Sequence, residues 1–269
     1  MIRLADFSVG IRLTLRARFL SISLWLLTAV LVAAFMAAQF SGRQPATLAL
    51  DVGLSLIRIT LPIFGVLMLH ELISREFERK LFLTTLTYPR PRHAFLLGRL
   101  AALGLLLAAL LAVLAAALAA LTHWIGQGYA QSTPVSLGLP YLVTIGFILL
   151  DLWVILALGA LLAVVASTPS FVLIGTLGFM LVARSFSTIV ALLQRESWLV
   201  DDAEAYGGSL GLLGYALPDL AALDVRMIAL YGQMELLPAQ WPWHVASALA
   251  YCTALTAVAV WALTRKRFA

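Results

Sequence analysis

Residues 71–99 read ELISREFERKLFLTTLTYPRPRHAFLLGR, a charged stretch in a chain that is 62% hydrophobic and only 12% charged. Apolar runs at 52–71 and 94–122 flank this stretch. Each run is long enough to cross a bilayer, which takes about 20 helical residues. The charged residues between them must therefore lie outside the hydrocarbon. This alternation of apolar runs and polar connections predicts an all-α, polytopic membrane protein.

The same hydropathy pattern predicts six spans in a single membrane domain that covers residues 1–269. We place these spans at 19–40, 52–71, 94–122, 141–166, 170–193 and 243–263. The first run exceeds the length of a signal-peptide core, so we expect it to be retained as a span. A tight hairpin at residues 167–170 joins the fourth and fifth spans.

Residues 1–18 are predicted to form an amphipathic helix on the membrane surface, with a plain basic tail as the alternative. Its apolar stripe has helical spacing and consists of Leu4, Phe7, Ile11 and Leu15. Most of the 18 lysines and arginines lie in this N-terminal segment, in residues 72–99 and at the C-terminus. The positive-inside rule therefore places both termini and the 72–92 loop in the cytosol.

Residues 194–242 are then predicted to form an extracytoplasmic loop. The loop is rich in acidic and aromatic residues, and we expect it to contain one or two short helices at the membrane interface or dipping into it. Pro218 and the charged residues Asp219, Asp224 and Arg226 disfavour a seventh span.

The cytosolic loop has the features of a short docking helix. Its opposite charges at Glu76 and Lys80 are four residues apart in the favourable order, and Pro89 ends the helical pattern. An apolar stripe runs along one face at Ile73, Phe77, Leu81 and Tyr88. Such a helix suits docking into a groove on a soluble partner. The residues alone fit an ordinary solvated loop equally well.

The loop resembles the first cytosolic loop of ABC-2-type transporter permeases. That family carries a Glu-x-Glu-x-Gly-Thr pattern, then leucine-rich residues, Pro-x-x-Arg and Leu-Leu-Gly-Lys. Here the corresponding residues are Glu76 and Glu78, Leu86, Pro89, Arg92 and 96–99. The family's Gly-Thr pair is replaced by Lys80 and Leu81, and its final lysine by Arg99. Residues 217–224 also resemble the family's external loop before the last span.

The resemblance implies a half-transporter in the bacterial cytoplasmic (inner) membrane, with six spans and a cytosolic N-terminal helix. Two permease copies, identical or related, would pack together in the lipid bilayer. Two separate ABC ATPase subunits would bind their cytosolic faces, carry the ATP and magnesium, and drive export. The residues expected to couple the ATPase to the spans are Arg75, Glu76, Phe77, Glu78, Leu81, Tyr88, Pro89 and Arg92.

Several other chemistries are excluded by pattern. A phosphate-binding loop needs Gly-Lys-Ser/Thr, but neither Lys80 nor Lys266 follows a glycine, so this chain is not expected to be an enzyme or to hold a cofactor. The sequence from His70 to Ser74 starts like a zinc-protease motif but lacks the second histidine, and no metal site is expected. The basic residues are divided among membrane flanks, which argues against nucleic-acid binding.

Three ionisable residues, Arg58, Asp151 and Arg184, lie within predicted spans, where a charge needs a partner. The tight hairpin places Asp151 and Arg184 within roughly 3 Å of the same depth. We therefore predict an ion pair, which serves as a structural staple or as a gate or substrate contact, and which a charge swap should partly restore. Arg58 would extend outward to the interface or meet Asp51 two turns away.

Two further functions stay open. Related permeases serve the assembly or maturation of extracytoplasmic proteins, including copper enzymes. A stand-alone carrier or membrane scaffold would need no ATPase. The few polar side chains in the spans mildly favour a lipidic or amphipathic cargo.

Overall fold

A computed structural model describes residues 4–16, 18–74, 92–128, 135–166, 168–195 and 218–265. These residues form helices and connections and contain no strand, which confirms the all-α prediction. The long helices are α1 (Leu4–Arg16), α2 (Phe19–Phe40), α3 (Pro45–Leu69), α4 (Arg92–Gln127), α5 (Leu139–Val165), α6 (Pro169–Arg195) and α8 (Trp241–Arg265). The short elements are a π-helical turn after α3 (His70–Ser74), α7 (Met227–Tyr231) and a 3-10 turn (Met234–Leu236).

Within this described part, five helices are long and apolar enough to cross a membrane: 19–40, 45–73, 93–127, 139–165 and 241–265. The fifth predicted span, 170–193, coincides with α6. Its described apolar stretch, Ser170–Ser185, is shorter than the others, so a sixth crossing stays a prediction. Helix α3 begins at Pro45 rather than at the predicted residue 52. The helix includes Asp51, whose carboxylate is paired with Arg226.

Helices α3 and α5 form the centre of the bundle. In their most apolar windows 56% and 61% of residues are buried, against 22% in α2 and 11% in α8. Gly53 in α3 permits a close helix contact, since a Cβ at this position would lie 2.4 Å from a methyl carbon of Leu118 in α4. The two central helices therefore position the charged side chains, whereas α2 and α8 present much of their apolar surface outward.

Helix α1 packs against the start of α4 through its small residues. Gly10 is buried, and a Cβ added there would lie 2.8 Å from the Cβ of Ala102. Thr14 is also buried and donates its hydroxyl to the Gly10 carbonyl. Of the predicted apolar stripe, Phe7 and Ile11 are half-buried and Leu15 is exposed. The location of α1 on a membrane surface stays a prediction.

Candidate functional site: a buried charge network

Asp151 is the centre of a charge network inside the helix bundle. It lies in the middle of α5 and is fully buried. A terminal nitrogen of Arg184, from α6, donates a hydrogen bond to Asp151 Oδ2. The structure thus contains the ion pair that the short α5–α6 connection predicts. The same terminal nitrogen of Arg184 donates to the backbone carbonyl of Arg58 at 2.9 Å, which connects the pair to α3.

Arg58 does not pair with Asp51, so that alternative is wrong. Its Nε lies 3.8 Å from Asp151 Oδ2, and its Nη1 contacts the carboxylate of Asp224. Its Nη2 donates to the carbonyl of Leu220 at 2.6 Å. Seven residues separate Arg58 from Asp51, about 10 Å along α3, whereas Asp151 and Asp224 lie directly beside the guanidinium. The nearer carboxylates hold the arginine inside the bundle.

Arg226 completes the network nearer to the N-terminal end of α3. It lies 3.1 Å from Asp51 and 3.5 Å from Asp224, and it donates to the hydroxyl of Ser55. Its side chain is 35% exposed and that of Asp51 is 39% exposed, against 13% for Arg58 and 1% for Asp151. The network therefore runs from a dry centre to a partly exposed edge.

The residues that carry Asp224 and Arg226 enter the helix bundle as a segment at 218–231. Four of its apolar side chains are almost completely buried, namely Leu220, Leu223, Val225 and Ile228, whereas Met227 and Tyr231 are exposed. The backbone nitrogen of Leu220 donates to the carbonyl of Ala183 in α6 at 3.3 Å. Non-helical backbone at membrane depth is tolerated where it is buried in protein and its polar groups are bonded. Both conditions hold at Leu220, because its nitrogen and its carbonyl each have a partner.

Helix geometry places this contact near the middle of the bundle. Arg58 lies about 20 Å along α3 from Pro45, and Asp151 about 18 Å along α5 from Leu139. Across the short α2–α3 turn, Arg58 is level with Leu27, which is about 4 Å from the centre of α2. We call the end of the bundle that contains this turn the distal end, and the end where α3 stops and α4 begins the proximal end. Segment 218–231 enters from the distal end.

The centre of the network contains both donor and acceptor atoms that are buried without a hydrogen-bond partner among the described residues. The Nε atoms of Arg58 and Arg184 are buried and have no hydrogen-bond partner among the described residues, and the same holds for Asp151 Oδ1. Arg184 and Asp151 neutralise each other. Arg58 is thus the additional cation of the helices at this depth, and Asp224, on a connecting segment, supplies its counter-charge.

Sequence reasoning identified Arg58, Asp151 and Arg184 but missed the partner roles of Asp224 and Arg226. A signal for them exists: these two charges stand in an otherwise apolar stretch, and Arg58 and Asp51 both need partners of the opposite sign. No helical register relates residues 218–231 to α3, so the sequence alone does not pair them.

At the proximal end, the predicted coupling residues Arg75, Glu76, Phe77, Glu78, Leu81, Tyr88 and Pro89 lie outside the described residues. Arg92 begins α4, but its side chain also lies outside the described part. The described flanks are joined. Buried Arg99 donates from Nη1 to the carbonyl of Leu72 at 2.6 Å, and its guanidinium lies 4.3 Å from the ring centroid of Phe95.

The Leu72 carbonyl that accepts this bond belongs to the π-helical turn that follows α3. Arg99 thereby connects the end of the α3 helix to the start of α4 through a hydrogen bond. Helix α1 contacts α4 beside the same position, because Gly10 faces the backbone of Gly98 and Arg99. The π-helical turn, the start of α4 and helix α1 therefore lie together near Ser74 and Arg92.

Comparison of the chain with protein-family models finds no match, and comparison with curated proteins finds none either. The structure itself shows that the described residues are all-helical and include several helices of membrane-spanning length.

Proposed function

We propose that this chain is the membrane-spanning subunit of an ATP-driven exporter of the ABC-2 type in the bacterial cytoplasmic membrane. The pattern of residues 76–99 supports this function, together with one structural observation. Arg99, which stands where the family pattern has lysine, fastens the two flanks of the charged loop to each other through the Leu72 carbonyl. A loop that transmits force from a soluble ATPase needs such a fixed base.

The described packing offers a mechanical route from the proximal end to the charge network. Helix α3 and its π-turn extend from Pro45 to Ser74 and carry both Leu72 and Arg58, with Pro62 between them. A shift imposed on residues 75–91 would act on Leu72 and reach Arg58, about 21 Å away along the helix. In this proposal ATP and magnesium bind to two partner ATPase subunits, and two permease copies form the transport path.

Co-purification from native membranes tests this function. The tagged chain is extracted in mild detergent and the proteins bound to it are identified, for the wild type and for the triple variant Glu76→Ala, Glu78→Ala, Tyr88→Ala. The matched control is Glu235→Ala, an exposed acidic residue near the distal end. We expect an ATPase with a phosphate-binding loop to bind the wild type and the control stoichiometrically and the triple variant weakly.

The absence of any ATPase from the wild-type preparation would overturn the proposal and favour a stand-alone carrier or scaffold. Equal recovery with the triple variant would overturn the role of residues 76–88 as the docking site.

A further inference from the structure

We propose that Arg58 is the centre of a carboxylate-binding site, which Asp224 of the chain itself fills in this conformation and which a carboxylate-bearing ligand occupies when segment 218–231 withdraws. This site lies near the middle of the bundle, and its ligand does not depend on the ATPase partnership.

In the described part of the chain, the helices around Arg58 supply no further carboxylate that is free to balance its charge. The carboxylate of Asp151 already accepts a hydrogen bond from Arg184, and Arg58 Nε lies at the longer distance of 3.8 Å from the same oxygen. Asp51, the single acidic residue of α3, is paired with Arg226. Asp224 is therefore the anion that completes the charge of Arg58. A guanidinium near the centre of a span without its anion would cost several kcal/mol.

Asp224 differs from Asp151 in its origin and accessibility. It belongs to the non-helical part of segment 218–231, and its side chain is 26% exposed, whereas that of Asp151 is 1% exposed. Asp224 is thus the one acidic partner of Arg58 that can leave without unpacking a long helix. The site it leaves is reached from the distal end, where Asp51 of α3 is partly exposed.

The hydrogen-bond donors of the Arg58 guanidinium are suited to a carboxylate. Two Arg58 nitrogens bond to groups of segment 218–231, namely the Asp224 carboxylate and the Leu220 carbonyl. Both would be released together if the segment moved. A third donor, Nε of Arg58, is buried without a hydrogen-bond partner among the described residues. A planar guanidinium with parallel donors free matches the two oxygens of a carboxylate.

Chemical rescue with formate tests the site. Asp224→Ala removes the carboxylate and leaves space for a small one, so the midpoint of thermal unfolding in detergent should fall. Formate, compared with chloride at equal ionic strength, should then raise the midpoint saturably and recover at least half of the loss. Formate should not stabilise the control Glu235→Ala or the double variant Arg58→Gln, Asp224→Ala. If Asp224→Ala cannot be purified, Asp224→Ser replaces it.

Each contrary result overturns the proposal. An Asp224→Ala protein as stable as the wild type would show that Arg58 needs no anion. An equal effect of formate on all variants would be a general salt effect, and no effect on Asp224→Ala would exclude the site. Rescue by inorganic phosphate but not by formate would exclude a carboxylate as the ligand.

A second arm tests replacement while Asp224 is present. Leu220→Cys is introduced together with Cys252→Ser, which removes the chain's single cysteine. Formate should increase the rate at which a membrane-impermeant maleimide labels position 220, because it competes with Asp224 for Arg58 and frees the segment. A labelling rate that is the same in formate and chloride would contradict the exchange.

Discussion

Replacing Asp151 by asparagine should destabilise the protein far more than the same replacement at Asp51. The change is nearly isosteric and removes the one carboxylate that serves both Arg184 and Arg58. At 3.8 Å and an effective dielectric constant near 20, the attraction between Asp151 and Arg58 alone is about 4 kcal/mol. Removing one partner of a buried pair costs about 3–5 kcal/mol, since the remaining charge stays buried without compensation.

The matched control is Asp51→Asn, at the partly exposed edge of the same network. Asp51 and Arg226 lie 3.1 Å apart, but both side chains are more than a third exposed. Solvent screening limits such a pair to about 0.2–1 kcal/mol. The assay is the midpoint of thermal unfolding in detergent, in which Asp151→Asn should lower the midpoint by at least about 6 °C and Asp51→Asn by little.

The combination Asp151→Arg with Arg184→Asp separates a network from a lone ion pair. A lone pair would tolerate this exchange, and the sequence alone predicted partial rescue. In the structure, an arginine at 151 would face Arg58, and a carboxylate at 184 would face the Arg58 carbonyl that now accepts a hydrogen bond. We therefore expect no rescue. A loss for Asp151→Asn equal to that of Asp51→Asn, or a stable charge-swapped protein, would refute this reasoning.

Three further predictions follow from the described contacts. Gly10→Ala should lower the unfolding midpoint by displacing α1 from Ala102, although alanine is the better helix former. Gly42→Ala should leave the midpoint unchanged, because a Cβ at that position would have no atom within 4 Å. Equal midpoints for the two variants would contradict the docking of α1 on α4. Arg99→Ala should reduce both the midpoint of thermal unfolding and the amount of ATPase that co-purifies. Arg99→Lys should reduce them less, because an ammonium can still bond the Leu72 carbonyl but lacks the planar stacking on Phe95. Equal effects of the two variants would argue against the bond from Arg99 to Leu72. Leu220→Cys should be protected from impermeant maleimide in the wild-type network and labelled after Arg58→Gln, whereas equal labelling would show that Arg58 does not hold the segment.

The sequence predicted the features of this fold that depend on local rules. Span positions follow from the length of apolar runs, and the Asp151–Arg184 pair follows from a short connection and a constant helical rise. The early start of α3 was not predicted, because Asp51 resembled a membrane boundary until its partner Arg226 was placed beside it. A charged residue ends a span only if no other part of the chain compensates it.

The pairing of Arg58 with Asp224 was beyond sequence reasoning for a different physical reason. The two residues are far apart in sequence, and residues 218–231 lack the periodicity that would fix their depth. Burial of Leu220, Leu223 and Ile228 among α3, α5 and α6 sets the position of this segment. Such packing depends on the shape of the assembled helices, which hydropathy does not encode.

The proposed contact between residues 75–91 and an ATPase can be detected by site-specific photo-crosslinking in living cells. A photoreactive amino acid replaces Phe77 in one strain, Tyr88 in a second, and exposed Trp243 near the distal end in a third as the control. We predict a crosslink from positions 77 and 88 to one ATP-binding protein, and none from position 243. Crosslinks from 77 and 88 to no ATP-binding protein, or equally from 243, would contradict it.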